Sequence, residues 1–257
     1  MSALRLTIIG IPLAIVALAR RLPRYPLRTE LLLGAAGAAL AAHFATWIAS
    51  LQDTAVATST LLVCTTPLWL GVYEHVARKQ PMPRLYVAVF ALAAIGLIAI
   101  VGVPTGSGRN DLRGDVLALA GAIAMAVYLE IVRALRVPST LAVVARTYPI
   151  AGLLLVIATV VTRERPPSLH ATSAWLGIFA MAFISQGIGH TGVNAAIRRL
   201  PTRFIATTTL AEPVIAACLA AVLFGERLGP LAIAGGMLIF AALALAVRVE
   251  RLVEPLL

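Results

Sequence analysis

Three polar side chains recur every four residues in the otherwise apolar stretch 171–197: Gln186, His190 and Asn194. Residues four apart lie on one face of a helix, so the three form a single polar stripe. A polar group that faces lipid tails is costly unless it is paired, so the stripe is expected to face protein or a water-filled cavity. Two interpretations stay open: a wall that contacts a small-molecule substrate, or hydrogen bonds between helices that only hold the structure together.

A second pair of candidate residues lies in the stretch 29–50. When this stretch is aligned with the helix that carries the polar stripe, His43 and Trp47 fall opposite Gln186 and His190. Two related helices would then present polar and aromatic side chains at similar depth. The same two interpretations, cavity wall or structural hydrogen bonding, apply to this pair.

Glu212 is a carboxylate near the middle of an apolar stretch, about 16 Å from either end by helical rise, and Pro213 follows it. A proline inside a helix removes a hydrogen bond and bends the axis, so Pro213 is a predicted hinge. Thr66 and Pro67 form the matching, uncharged hinge earlier in the chain. A carboxylate at this depth suits a proton relay, and the alternative is a Glu held by hydrogen bonds to nearby threonines.

Glu130 and Arg146 lie in consecutive apolar stretches, close to the same end, and the sequence permits an ion pair between them. Such a pair would be a structural clamp, and the alternative for Arg146 is contact with a carboxylate-bearing substrate. We find no GxxxxGK[ST] phosphate loop, no HExxH zinc helix and no GxSxG elbow. We therefore expect no catalytic residue, no metal, no cofactor and no enzymatic activity.

Nine mostly apolar stretches, separated by short loops, must position these side chains. A helix of about 20 residues crosses the roughly 30 Å hydrocarbon layer, whereas barrel strands would alternate over about ten residues. Hydrophobic residues make up 60% of the chain and the mean hydropathy is +0.95, too apolar for a soluble globule. The sequence predicts an all-α, polytopic membrane bundle of nine transmembrane helices, at 3–19, 29–50, 54–77, 83–103, 112–135, 138–162, 171–197, 202–224 and 228–248.

The net charge of +10 is distributed unevenly between alternate loops. Fourteen of the 21 Lys and Arg residues fall in one set of loops and six in the other, while Arg146 lies within a helix. Cytoplasmic loops carry the Lys and Arg excess, so we predict a multi-pass inner (plasma) membrane protein with its C-terminus in the cytoplasm and Met1 outside. The positive charge is explained by this bias, and no nucleic-acid partner is expected.

The order of the apolar stretches repeats with an offset of 146 residues: a Gly-rich helix, a Pro-centred helix and a uniformly apolar helix. We predict two repeats, 1–103 with four helices and 112–248 with five. Five helices separate equivalent positions, so the repeats would have opposite orientations in the bilayer. Inverted repeats of this kind place a substrate site near the midplane.

The residues in these repeats resemble a known family. The sequence HFATWIASL at 43–51, followed by TTPL at 65–68, resembles the first EamA unit of the drug/metabolite transporter superfamily, and ATTTLAEPV at 206–214 with FGERL at 224–228 resembles the second. The resemblance covers almost the whole chain, although RKQ stands at 78–80 where the first unit usually has Gly-Glu. Family members have ten helices, so the resemblance implies that the family's first helix is missing here.

The resemblance implies a secondary transporter that exports small organic metabolites or drugs by alternating access. The alternative hypothesis is a membrane protein that does not transport, either a truncated remnant or a packing subunit for another protein. The expected partners are a small-molecule substrate and the lipid bilayer, and a homodimer is a further expectation.

Overall fold

A computed structural model describes residues 2–54, 56–79, 84–101, 112–164, 166–197, 199–200, 202–212, 214–215, 218–219, 222 and 229–253. This part of the chain is built from helices joined by short connections, and no strand occurs in it. A π-helical segment, Met181–His190, joins α8 to α9, and a 3-10 turn, Thr209–Ala211, follows α10. The α-helices are α1 Ser2–Ala19, α2 Leu27–Asp53, α3 Val56–Val63, α4 Thr66–Val76, α5 Arg84–Val101, α6 Leu112–Leu135, α7 Thr140–Val161, α8 Thr172–Ala180, α9 Thr191–Ala196, α10 Thr202–Thr208 and α11 Pro230–Val253.

Five helical stretches are long and apolar enough to cross a membrane: α1, α2, α6, α7 and the continuous run Thr172–Ala196. Two shorter apolar helices, Arg84–Ala99 and Ile233–Val249, add to them. Each predicted stretch coincides, in its described residues, with one helix or with consecutive helical elements. The predicted all-α, polytopic membrane fold is confirmed.

The chain divides into two compact units. Unit 1 comprises Met1–Ile48 and Ile123–Leu200, and unit 2 comprises Ala49–Ala122 and Pro201–Leu257. Each unit combines segments from both predicted repeats, because its helices come from both halves of the chain. The repeats 1–103 and 112–248 remain a prediction about which parts of the sequence are related. The two units show which parts of the chain pack together.

In unit 1, α1 packs along α7 through small residues. A Cβ on Gly10 would lie 3.0 Å from the Pro149 nitrogen, and one on Gly152 would lie 3.1 Å from the Thr7 hydroxyl oxygen. Glycine therefore lets the two helix backbones approach closely, as small residues do between membrane helices. Helix α1 also packs on the π-helical segment.

In unit 2, the corresponding close contact joins α5 to α11. A Cβ on Gly96 would lie 2.6 Å from the Gly235 carbonyl oxygen and 2.9 Å from the Ile239 side chain. The residues around this contact form one apolar cluster that includes Tyr86 and Leu97. Apolar packing around a close backbone contact therefore joins these two helices.

The predicted helix 54–77 is two helices, α3 and α4, which meet at a turn at Cys64 and Thr65. Pro67 is the second residue of α4, a position where its missing N–H is tolerated. Because Pro67 cannot donate to the Val63 carbonyl, the Thr66 hydroxyl does so instead, at 2.9 Å. The predicted hinge at Pro67 is thus a break between α3 and α4, and the Thr66 hydroxyl supplies the hydrogen bond that proline cannot make.

Four basic residues that follow helix ends have left-handed backbones: Arg21, Lys79, Arg136 and Arg163, with φ between 48° and 56°. This conformation commonly ends helices, and a cation is favourable beside the helix C-terminus. The charges that indicate topology therefore also terminate α1, α4, α6 and α7.

Candidate functional site

The π-helical segment positions the predicted polar stripe within unit 1. The backbone N–H of Thr191 donates to the Gln186 carbonyl five residues earlier, and the Thr191 hydroxyl donates to the same oxygen at 3.2 Å. A π-helix has a wider turn than an α-helix, and such segments occur frequently at functional sites. Gln186 and His190 both lie in this segment, whereas Asn194 lies in α9.

Aromatic side chains of α2 meet the π-helical segment. The His43 ring lies 4.7 Å from the Phe44 ring and 5.7 Å from the Trp47 ring, between centroids. Phe44 contacts His190 edge to face at 5.5 Å. The structure therefore brings together three predicted site residues, His43, Trp47 and His190, through Phe44, which we did not predict.

Arg5 of α1 is the second unpredicted member of this cluster. Its guanidinium carbon lies 3.9 Å from the centre of the Phe44 ring, and the residue is only 6% exposed. Arg5 and His190 both contact the Phe44 ring, so Arg5 belongs to the same cluster. Arg5 is one of the six Lys and Arg residues that the charge count assigned to the less positive set of loops.

Asn194 is held by hydrogen bonds at both ends of its amide. The Tyr128 hydroxyl donates to its Oδ1 at 2.8 Å, and its Nδ2 donates to the His190 carbonyl at 2.8 Å. The side chain is buried, at 2% exposure. These contacts favour the structural interpretation for Asn194, which ties α9 to α6.

Gln186 differs from Asn194 although both belong to the same stripe. It is 0% exposed, and neither polar atom of its amide makes a hydrogen bond with the described residues. It lies beside the Tyr148 hydroxyl without the geometry of a hydrogen bond. Because a buried unsatisfied amide is costly, this side chain requires an explanation that packing alone does not supply.

The remaining predicted cavity residues, Thr66 and Glu212, belong to unit 2. Thr66 is buried, and its hydroxyl also donates to the Ala122 carbonyl at 3.3 Å. Glu212 is exposed, and its backbone N–H donates to the Thr209 carbonyl. Residue 213 is a proline and has no N–H to donate to the Thr209 carbonyl. The Glu212 N–H in the 3-10 turn donates to this carbonyl instead. The predicted hinge Pro213 itself lies outside the described residues.

Unit 2 also contains a small apolar recess of about 50 Å³. Cys64, Thr65, Pro67 and Leu210 line it, together with residues of α5. The recess lies between the turn that precedes α4 and the 3-10 turn that follows α10. The two predicted hinge regions are thus neighbours within unit 2.

Arg146 pairs with Glu30 in place of the predicted Glu130. Its Nε donates to the Glu30 carboxylate at 2.8 Å, and its other nitrogens donate to the Ala142 and Pro23 carbonyls at 3.1 and 2.9 Å. Glu30 lies in the first turn of α2, where α7 and the loop before α2 meet it. This contact joins residues 116 positions apart, and the fold rather than the local spacing decides it.

Comparison with known proteins identifies the family. A profile of the EamA-like transporter family matches residues 112–248, more than half of the chain. The chain belongs to this family. A solved structure described only as "Crystal structure of protein" superposes with a TM-score of 0.81, covering 96% of this chain and 87% of the other at 20% identity. At that identity the likeness shows the fold alone.

Membership of the EamA-like family makes this protein a transporter of the drug/metabolite type, embedded in the bilayer by many helices. In the described part of the chain, no group of three or more His, Cys, Asp or Glu residues could hold a metal ion. In unit 1 the polar side chains of Arg5, His43 and Gln186 are buried, and His190 beside them is half-buried.

Proposed function

We propose that this EamA-like protein is a secondary transporter that exports small organic solutes across the cytoplasmic membrane by alternating access. The observation that supports this best is the polar and aromatic cluster of unit 1, in which His43 and Gln186 are buried and His190 is half-buried. Polar and ionisable groups inside membrane proteins are costly and mark solute pathways. The cluster is therefore the proposed substrate contact.

The depth of the cluster supports this role. His43 lies about 24 Å from the start of α2 and about 15 Å from its end by helical rise, so it is far from either aqueous boundary. Side chains that only anchor a helix at the membrane surface lie near its ends. Two inverted repeats, 1–103 and 112–248, would alternate around such a site, with the C-terminus in the cytoplasm.

Transport can be tested with the full chain. Purified protein would first be screened by thermal shift against amino acids, nucleosides, sugars, organic acids and cationic drugs, because a ligand of the folded state raises the melting temperature. Solutes that bind would then be tested for counterflow in proteoliposomes. We expect at least one to exchange. A non-transporting membrane protein would exchange none of them.

Substitution of one histidine connects the assay to the cluster. We expect His190→Leu to reduce counterflow about tenfold or more, since it removes a polar ring from the proposed contact. His170→Leu is the matched control, because His170 is an exposed loop histidine of the same unit. Equal counterflow in the two variants would contradict the assignment of the site.

Glu212 is the proposed proton-coupling group. Glu212→Gln keeps the size and most of the hydrogen bonding of the side chain and removes its titratable charge. In the same counterflow assay, the variant should transport with a flattened pH profile. Near-normal transport with the wild-type pH profile would remove Glu212 from coupling and leave the transport function standing.

A further inference from the structure

We propose that the segment 20–28, which joins α1 to α2, is a binding surface for the headgroup of an anionic phospholipid. The segment contains four arginines, Arg20, Arg21, Arg24 and Arg28, and all four are exposed. The proposal concerns the bilayer and does not depend on which solute the protein carries. It rests on the fixed backbone of the segment, its unbalanced charge and its place between two apolar helices.

Contacts from α7 hold the backbone of this segment. The Arg146 Nη2 donates to the Pro23 carbonyl at 2.9 Å, and its Nε donates to the Glu30 carboxylate at 2.8 Å. The same carboxylate accepts the backbone N–H of Tyr25 at 3.1 Å, and the Arg146 guanidinium carbon lies 5.1 Å from the centre of the Tyr25 ring. These contacts fix positions 23 and 25, which lie among the four arginines, so the charges are presented on a braced backbone.

The charge of the segment is not balanced from within the chain. Glu30 is the nearest carboxylate in sequence, and its two oxygens already accept hydrogen bonds from Arg146 and Tyr25. In the part of the chain that the structure describes, none of the four exposed arginines forms an ion pair. An arginine is always ionised, and its planar N–H donors match the oxygens of a phosphate. A phosphate from outside the chain would supply the missing counter-charge.

The two ends of α7 differ in the charge around them. Arg146 lies near its start, where it meets the arginine-rich segment, and the exposed Arg136 ends α6 just before α7 begins. The opposite end of α7, about 33 Å away by helical rise, is followed by Arg163 and Arg165 with Glu164 between them. The positive surplus of unit 1 is therefore concentrated at the end that carries the segment 20–28.

Exposed apolar side chains beside the arginines favour a phospholipid over a soluble anion. Leu18, in the last turn of α1, and Leu27, the first residue of α2, are both exposed. Both helices are long and apolar enough to span a membrane, so these leucines lie where acyl chains meet the headgroups. A phospholipid offers a phosphate to the arginines and acyl chains to the leucines. Clusters of four or more basic residues next to a membrane-spanning helix are typical of anionic-lipid binding.

The test titrates two lipids into the purified full chain in detergent and follows the melting temperature, which a ligand of the folded state raises. Dioleoylphosphatidylglycerol has one negative charge, and dioleoylphosphatidylcholine has the same acyl chains and no net charge. We expect phosphatidylglycerol to stabilise the wild type at a concentration about tenfold or more below that of phosphatidylcholine. The preference should shrink at high salt. The triple variant Arg20→Gln/Arg24→Gln/Arg28→Gln should lose it.

A matched pair of single variants separates a local surface from net charge. Arg21 and Arg163 are both exposed, both follow a helix end and both have a left-handed backbone, with φ of 49° and 56°. Each change to Gln therefore removes one charge in the same backbone conformation. Arg21→Gln should weaken phosphatidylglycerol about fivefold, and Arg163→Gln should leave it unchanged. Equal affinities in the two variants, or no preference in the wild type, would overturn the proposal.

Glu30→Ala tests whether the braced backbone matters, because a diffuse attraction predicts the opposite sign. The change removes the acceptor for Arg146 and Tyr25 and raises the net charge by one. A fixed surface predicts weaker binding of phosphatidylglycerol, whereas attraction by net charge alone predicts stronger binding, which would contradict the proposal. Glycerol 1-phosphate, the soluble counterpart of the headgroup, should not displace the lipid at millimolar concentration. If it does, the arginines bind a soluble phosphate and the assignment to a lipid is wrong.

Discussion

Two helix pairs, α1–α7 in unit 1 and α5–α11 in unit 2, use the same device for close packing and differ in what surrounds it. Both bring a glycine of one helix against the backbone of the other, at Gly10 and at Gly96. Around Gly96 the buried residues are apolar. Around α1 they include Arg5 and the polar residues of the π-helical segment.

This difference shows which polar groups the fold needs. Close helix packing in a membrane requires small residues at the contact, and α5–α11 achieves it with an apolar core. Close approach of two helices therefore does not require a buried charge such as that of Arg5. Asn194, whose amide is satisfied at both ends, is explained by packing.

The largest expected effect is on stability, at the closest glycine contact. Gly96→Ala should lower the free energy of unfolding by about 1–3 kcal/mol, because its Cβ would meet a backbone oxygen that cannot move aside. Gly177→Ala is the control, since nothing lies within 4 Å of its added Cβ and alanine favours a helix. Thermal unfolding in detergent measures both.

Equal stability of the two alanine variants would contradict the close contact of α5 with α11. Gly10→Ala extends the comparison to unit 1, where the added Cβ would lie 3.0 Å from a backbone nitrogen. It should destabilise the protein in the same direction as Gly96→Ala. If Gly10→Ala is neutral, the two helix pairs do not share a packing device.

A smaller effect separates the two amides of the polar stripe. Asn194→Leu should lower the free energy of unfolding by about 0.6–1.7 kcal/mol, since it removes a hydrogen bond between helices. Gln186→Leu should leave stability unchanged or raise it, because it removes an unsatisfied buried amide. Thermal unfolding of the two variants checks this opposition. A Gln186→Leu variant as unstable as Asn194→Leu would show that the Gln186 amide is structural.

The sequence predicts most of the fold because bilayer thickness sets the length of an apolar helix. The predicted helix 112–135 has the bounds of α6, Leu112–Leu135. At Pro67 only a hinge was predicted, because the sequence shows that proline lacks an N–H. It does not show that the Thr66 hydroxyl replaces this N–H as the donor to the Val63 carbonyl. Helix periodicity also does not distinguish an α-helix from the π-helical turns that carry Gln186, because a four-residue spacing suits both.

The candidate site was harder to predict because long-range packing decides it. Arg5 was counted as a loop charge when topology was assigned, and only its packing on Phe44 places it inside unit 1. The partner of Arg146 was taken as the nearest carboxylate in the preceding helix, whereas Glu30 is brought in from the start of α2. Both errors concern charged residues, whose partners depend on contacts that sequence separation does not reveal.

The smallest expected effect concerns Arg146, whose ion pair with Glu30 is partly exposed. The Arg146 and Glu30 side chains are 20% and 34% exposed, and such partly exposed ion pairs contribute about 0–1 kcal/mol. Arg146→Gln should therefore lower the melting temperature slightly, and the difference from the wild type should shrink at high salt, because ions screen the pair. Arg146 donates to a carboxylate and to two backbone carbonyls, which is the arrangement of a structural arginine. Thermal unfolding of Arg146→Gln and the wild type at low and high salt measures the effect. A loss of several kcal/mol that high salt does not reduce would contradict the assignment of a partly exposed, screened ion pair.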